Sequence, residues 1–155
     1  MLLAAKARGV LRILDVNLRS QFYDDAPLRD SIALANVVKL SDESLPEVSA
    51  ACAIPMADSH ETTLEAKRSF CSLDYIAMTR GANGTLLISR AGAADQRVIS
   101  TAIVDTAGAG DAFTAALFVG LLRGRPDLEI LKFACKTGFT ACRHAGGIPE
   151  HGEGG

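Results

Sequence analysis

Apolar positions along the chain follow two alternating periods. Residues 10–16 (VLRILDV), 36–40 (NVVKL), 75–79 (YIAMT) and 85–89 (TLLIS) are short runs of branched and aliphatic side chains, and each is predicted to be a strand. Between them lie segments of helical spacing. Residues 27–35 read as a helix opened by Pro27, and Asp42 and Glu43 suit the first turn of a short helix, where free amides carry partial positive charge. A further helix starts at Ser59, carries Leu64, Lys67, Arg68 and Cys71, and leads into the strand at 75–79. Residues 96–104 alternate more loosely and are predicted as another strand. Two helices follow, 108–123 and 127–144, separated by Gly124-Arg125-Pro126. Residues 1–8 resemble the last turns of a helix ended by Gly9 and feeding a strand at once. Strands alternating with helices argue for an α/β layered fold. No internal repeat, low-complexity segment or linker divides the chain, so a single domain is expected.

Composition narrows this picture. The chain has 155 residues, 48% hydrophobic and 22% charged, with a net charge of -2. That is enough for a core, and it argues against a disordered tail or a general nucleic-acid binder. The longest nearly apolar stretch, 112–122, has 11 residues and includes Thr114 and Gly120, whereas a bilayer needs roughly 20. Lys6 and Arg8 follow the first apolar residues instead of preceding them, which is not the order of a secretory signal. Cys52, Cys71, Cys135 and Cys142 lie 19, 64 and 7 residues apart with no C-x-x-C pair. Reduced, mostly buried thiols in a cytoplasmic protein are expected, with Cys135 and Cys142 on one helical face. His60 and His151 have no metal-ligand spacing.

The most informative segment is 104–113, VDTAGAGDAF, between a predicted strand and a strongly apolar helix. Small residues at 107–110 let backbone approach a ligand, and the first amides of a helix have no internal acceptor, so this start is a ready anion site. Asp111 lies in the first helical turn. One reading is structural, because Asp is favoured near helix starts and glycines suit a tight turn. The other is catalytic: a carboxylate beside an anion hole can take a proton from a hydroxyl while the amides stabilise a transferring phosphoryl group.

DTAGAGDAF closely resembles the C-terminal signature of the ribokinase-like sugar kinases, the PfkB family. The resemblance implies that Asp111 is the base that activates the sugar hydroxyl, that Gly108, Ala109 and Gly110 form the anion hole for the γ-phosphate, and that Asp105 with the backbone of Ala107 holds a monovalent cation such as K+. Residues 14–19 (LDVNLR) are similar to the D-x-N-x-R segment of fructokinase-like and keto-deoxygluconate-kinase-like members, which implies that Arg19 lies near the transferred phosphate. Taken alone, Asp15 and Asn17 would equally cap a strand end. Residues 78–84 (MTRGANG) resemble the family's nucleotide loop and so assign Thr79, Gly81, Asn83 and Gly84 to ATP, although the same spacing suits a β-turn. Lys39 precedes the family's N-x-x-E motif, which helps hold Mg2+ and phosphate and aligns with Ser41-Asp42-Glu43-Ser44. Ser41 in place of Asn is common in fructokinase-like members. Ser44 departs from the expected Glu, leaving Glu43 or Asp42 to serve from a neighbouring position. Cys135 aligns with a polar residue that lines the adenine pocket. Residues 143–149 (RHAGGIP) are similar to the closing segment that completes the cation and nucleotide site.

The resemblance therefore implies a three-layer α/β/α ribokinase-like, Rossmann-like fold, with residues 1–155 as its C-terminal nucleotide-binding and catalytic part. The family's upstream half, with its Gly-Gly-x-x-x-Asn sugar signature and β-sheet lid, has no counterpart in these residues. The expected function is ATP-dependent phosphorylation of fructose or a related sugar. The alternative is a nucleotide-binding remnant or regulatory module without kinase activity. A homodimer or a complementing N-terminal half is the expected protein partner, with neither nucleic acid nor membrane.

Overall fold

The computed structural model describes residues 10–18, 24–97 and 108–142, and the chain divides into two compact units, Met1–Asp95 and Gln96–Gly155. The expected helix end at 1–8 and most of the strand expected at 96–104 lie outside the described residues.

The first unit is a mixed sheet with strand order β1-β2-β3-β4-β5. Strands β1 (Ile13–Asp15), β2 (Val37–Ser41) and β3 (Tyr75–Thr79) are parallel, and β4 (Thr85–Ser89) returns antiparallel to β3. Strand β5 (Gly92–Gln96), which the sequence pattern did not predict, closes the order. Its alanines and glycine carry little β propensity, and its residues are exposed or half-buried. Parallel strands need a crossover, and helices supply both. Helix α1 (Asp25–Leu34) links β1 to β2. A 3-10 turn (Asp42–Ser44), helix α2 (Leu45–Ala51) and helix α3 (His60–Phe70) link β2 to β3. Ser59 caps α3 by accepting from the Thr62 amide, as its position before the apolar stripe predicts.

Register stacks the core. Val38, Ile76 and Ile88 form one row across three strands, and Leu40, Met78 and Leu86 form the next. These rows join Leu28 and Ile32 of α1, Leu45 and Val48 of α2 and Leu64 of α3 in one cluster. Side chains alternate along a strand, so Val37, Lys39, Ala77 and Leu87 lie on the other face, where all four are also buried. Burial on both faces explains why these strands read as continuous apolar runs.

Among its described residues the second unit is a helical hairpin. On α4 (Ala109–Leu122) the buried residues Phe113, Ala116, Leu117 and Gly120 form one stripe. On α5 (Asp127–Cys142) the facing stripe includes Ile130, Leu131 and Ala134. The turn between them closes with Gly124 at φ 59 and with the Arg125 amide donating to the Gly120 carbonyl at 3.3 Å. The Arg125 guanidinium lies 5.3 Å from the centre of the Phe133 ring.

Candidate active site

In the first unit the candidate residues gather at the carboxyl ends of the parallel strands, the end where open α/β sheets bind ligands. Lys39 pairs in register with Asp15 on β1, and its ammonium donates to both carboxylate oxygens at 3.0 and 3.2 Å. Lys39 is 9% exposed, so the carboxylate offsets much of the cost of burying its charge. Asp15 also belongs, with Asn17, to the lining of an open cleft of about 410 Å³ beside the start of α1. The sequence motif contained Asp15, but its pairing with Lys39 requires knowledge that β1 and β2 are neighbours.

Two residues along β2, Ser41 pairs in register with Thr79, and Thr79 with Thr85. The Ser41 hydroxyl accepts from the Ser44 amide at 3.3 Å and lies 3.0 Å from the buried Ser44 hydroxyl. Ser41 is thus the cap of the 3-10 turn. Glu43 is exposed on that turn, and its amide donates to an Asp42 carboxylate oxygen at 3.1 Å. One helical turn beyond Ser44, a Glu47 carboxylate oxygen is buried without a hydrogen-bond partner among the described residues. Among the described residues no group of three or more His, Cys, Asp or Glu could hold a metal ion.

The loop from β3 to β4 is tight. The Arg80 amide donates to the Gly84 carbonyl at 2.8 Å, and the Asn83 amide to the Arg80 carbonyl at 2.9 Å. Gly81 (φ 52) and Gly84 (φ 85, ψ -148) take conformations that disfavour side chains, so the glycines are required by the turn itself. Gly81, Ala82 and Asn83 are exposed, whereas Thr79 is half-buried and its hydroxyl donates to the Leu40 carbonyl at 3.4 Å. Arg80 is fixed by an ion pair with Asp95.

In the second unit, Gly108 precedes α4 in the left-handed conformation, φ 74 and ψ -5, and its carbonyl accepts from the Ala112 amide at 2.9 Å. The amides of Ala109, Gly110 and Asp111 therefore stand in the first turn, where no intrahelical acceptor exists. Asp111 is exposed there. A Cβ on Gly138 of α5 would stand 3.1 Å from the Ala109 carbonyl oxygen and 3.3 Å from Phe113 Cβ. Gly138 thus lets α5 approach the start of α4, a role that no local sequence signal announces. Cys135, half-buried, lies on α5 one turn before Gly138. Arg19, Asp105 and Ala107 lie outside the described residues.

Residues 1–151 match the pfkB family of carbohydrate kinases. The chain is 32% identical to a fructokinase of Klebsiella pneumoniae over 130 residues, 80% of this chain and 40% of that protein. It is 34% identical to the aminoimidazole riboside kinase of Salmonella typhimurium over 116 residues, 72% of this chain and 34% of that protein. A solved double mutant of the Vibrio cholerae fructokinase, bound to fructose, ADP and potassium ion, matches 94% of this chain and 48% of its own with a TM-score of 0.76 at 24% identity. The chain thus spans less than half the length of each. The family match, the ribokinase-like α/β fold and the glycine-led start of α4 agree, and the chain belongs to the pfkB family of carbohydrate kinases.

Proposed function

We propose that this chain supplies the nucleotide-binding and catalytic part of an ATP-dependent sugar kinase, with fructose or a related sugar as acceptor. The observation that carries this reading is the start of α4, where a left-handed Gly108 leads into three amides that have no intrahelical acceptor, with an exposed Asp111 among them. The amides would stabilise the charge of the γ-phosphoryl group in transfer, and Asp111 would accept the proton of the attacking hydroxyl. Thr79, Gly81, Asn83 and Gly84 would border the nucleotide, as would Cys135, and Lys39 and Arg19 the phosphates. Asp105 and the Ala107 backbone would hold K+, the ion named with the Vibrio fructokinase.

Mg2+ accompanies ATP in such chemistry, bridging phosphates and neutralising their charge. It needs only one or two carboxylates because it keeps several waters. The Ser41 and Ser44 hydroxyls share one hydrogen bond and Ser44 offers no carboxylate, so the carboxylate that would meet those waters is Glu43 or Glu47, whose buried oxygen has no hydrogen-bond partner among the described residues.

A second reading is a nucleotide-binding module without turnover, favoured by Ser44 where the family has Glu. Titration with ADP and an assay of ATP-dependent phosphorylation of fructose and other sugars, in wild type and Asp111→Asn, separate the two. The kinase reading predicts sugar-dependent turnover that falls about 10²–10⁴-fold in Asp111→Asn, with ADP affinity retained. ADP binding with no turnover in either protein would establish the module instead, and absence of ADP binding would overturn both.

A further inference from the structure

Arg80 holds the loop between β3 and β4 with its backbone and with its side chain. Its amide donates to the Gly84 carbonyl at 2.8 Å, and its carbonyl accepts from the Asn83 amide at 2.9 Å, so one residue closes the turn from both sides. The loop has little packing of its own. Gly81, Ala82 and Asn83 are exposed, and a Cβ on Gly81 would meet no heavy atom within 4 Å beyond its chain neighbours. Two of the four residues after Arg80 are glycines, which lose more backbone freedom on ordering than any other residue.

The side chain of Arg80 reaches another element. Its Nη2 pairs with Asp95 Oδ1 on β5, 15 residues further along the chain and on the strand next to β4. The Arg80 side chain is 15% exposed and that of Asp95 50%, so solvent screens the pair less than an ion pair on the open surface. Arg80 Nε is buried and has no hydrogen-bond partner among the described residues. Asp95 is therefore the carboxylate that compensates this charge, and its removal leaves a largely buried guanidinium uncompensated.

We propose that Arg80 is a positioning residue for the nucleotide, and that its pairing with Asp95 sets the affinity for ATP and ADP by fixing the loop before the nucleotide arrives. This role rests on the reading of residues 79–84 as the nucleotide loop, and it adds Asp95, which lies outside that loop. A loop ordered in the free chain costs less to order on binding, so more of the contact energy appears as affinity. Arg80 acts through the backbone of Gly81 to Gly84. The effect therefore falls on nucleotide binding and leaves the proton transfer assigned to Asp111 alone.

Asp95→Ala removes the countercharge without touching the loop, and the dissociation constant for ADP rises by about 3–30-fold. Asp74→Ala is the control. Asp74 pairs with Arg90 at 3.4 Å and accepts from Asn36 Nδ2 at 3.3 Å, just before β3 begins, whereas Arg80 directly follows its end. Losing those bonds lowers stability in urea and leaves ADP affinity unchanged, so the two variants separate positioning of the loop from support of the fold.

The test is calorimetric titration of ADP into wild type, Asp95→Ala and Asp74→Ala, with urea unfolding of the same three proteins. Weaker ADP binding in Asp95→Ala alone supports the role of Arg80. Equal affinity in wild type and Asp95→Ala, or equal losses in the two variants, overturns it and leaves the nucleotide-loop reading standing. A wild type that binds no ADP overturns both. Should Asp95→Ala not fold, amide hydrogen exchange of the ligand-free wild type decides the matter. Slow exchange at the Arg80 and Asn83 amides supports a loop fixed beforehand, and exchange at the rate of an unstructured peptide overturns it.

Discussion

Lys39 carries its charge into a sheet because Asp15 stands beside it on the next parallel strand, with the ammonium within 3.2 Å of both carboxylate oxygens. Asp15→Asn keeps the shape and removes the countercharge, so a destabilisation of about 1–3 kcal/mol is expected in urea unfolding. If Lys39 also serves the nucleotide phosphates, ADP affinity falls in the same variant. Cys71 gives a pH dependence with a defined sign. The folded chain holds the thiol proton up to about 11, against an ordinary 9.0 when unfolded, because burial disfavours the thiolate. Between these values the native state binds more protons, so this contribution is fully present below pH 9 and is lost as pH rises through 11. Lys67 works oppositely, because burial lowers its pKa and stability rises with pH where only the unfolded lysine is protonated. The clean measurement is the stability difference between wild type and Cys71→Ala, which should shrink from pH 8.5 to 11 in reducing buffer. A difference that stays constant would show that burial does not hold the thiol protonated.

Helices and strands were largely legible because their signals are local. Ser59 caps α3 and Pro27 lies in the first turn of α1, at or beside the expected starts. The strands at 75–79 and 85–89 begin and end where their apolar runs do. Strand β5 was missed because pairing in the sheet, and not side-chain type, makes it a strand. Helix packing likewise rests on non-local contact. Gly138→Ala would put a Cβ 3.1 Å from a backbone oxygen that cannot rotate away, whereas Gly120→Ala meets the Ile130 side chain at 3.1 Å. The expected loss is about 1–3 kcal/mol for Gly138→Ala and less for Gly120→Ala, since Ile130 can shift and alanine favours the helix. Thermal unfolding of the two variants checks the order, and equal losses would remove the distinction between backbone and side-chain contact.

Across the whole molecule, the chain covers 40% of one curated relative and 34% of another, so more than half of each of those proteins lies outside the match. The expectation of a homodimer or complementing half meets a concrete feature in the second unit. Phe118 and Leu122, four residues apart on α4, are exposed, Leu122 by 61%, and Leu128 is exposed on α5. Apolar exposure of this kind promotes association. Sedimentation velocity should show species that grow with concentration, and Leu122→Lys should shift them towards the monomer. Concentration-independent sedimentation of the wild type would remove this expectation.

By itself the sequence determined the α/β class, most element positions and the motif at 104–113 that marks the family, because periodicity, caps and glycine-rich turns act over a few residues. It also marked Lys39, Ser41 and Thr79 as candidates, and the departure at Ser44. Tertiary structure alone decided that Asp15 holds Lys39, that Ser44 pairs with Ser41, that Gly138 admits α5 against the start of α4, and that the buried Lys67 ammonium donates to the Ile54 carbonyl. Except for Ser41 with Ser44, these pairings join residues distant along the chain. They depend on strand register and helix crossing, which no local pattern encodes.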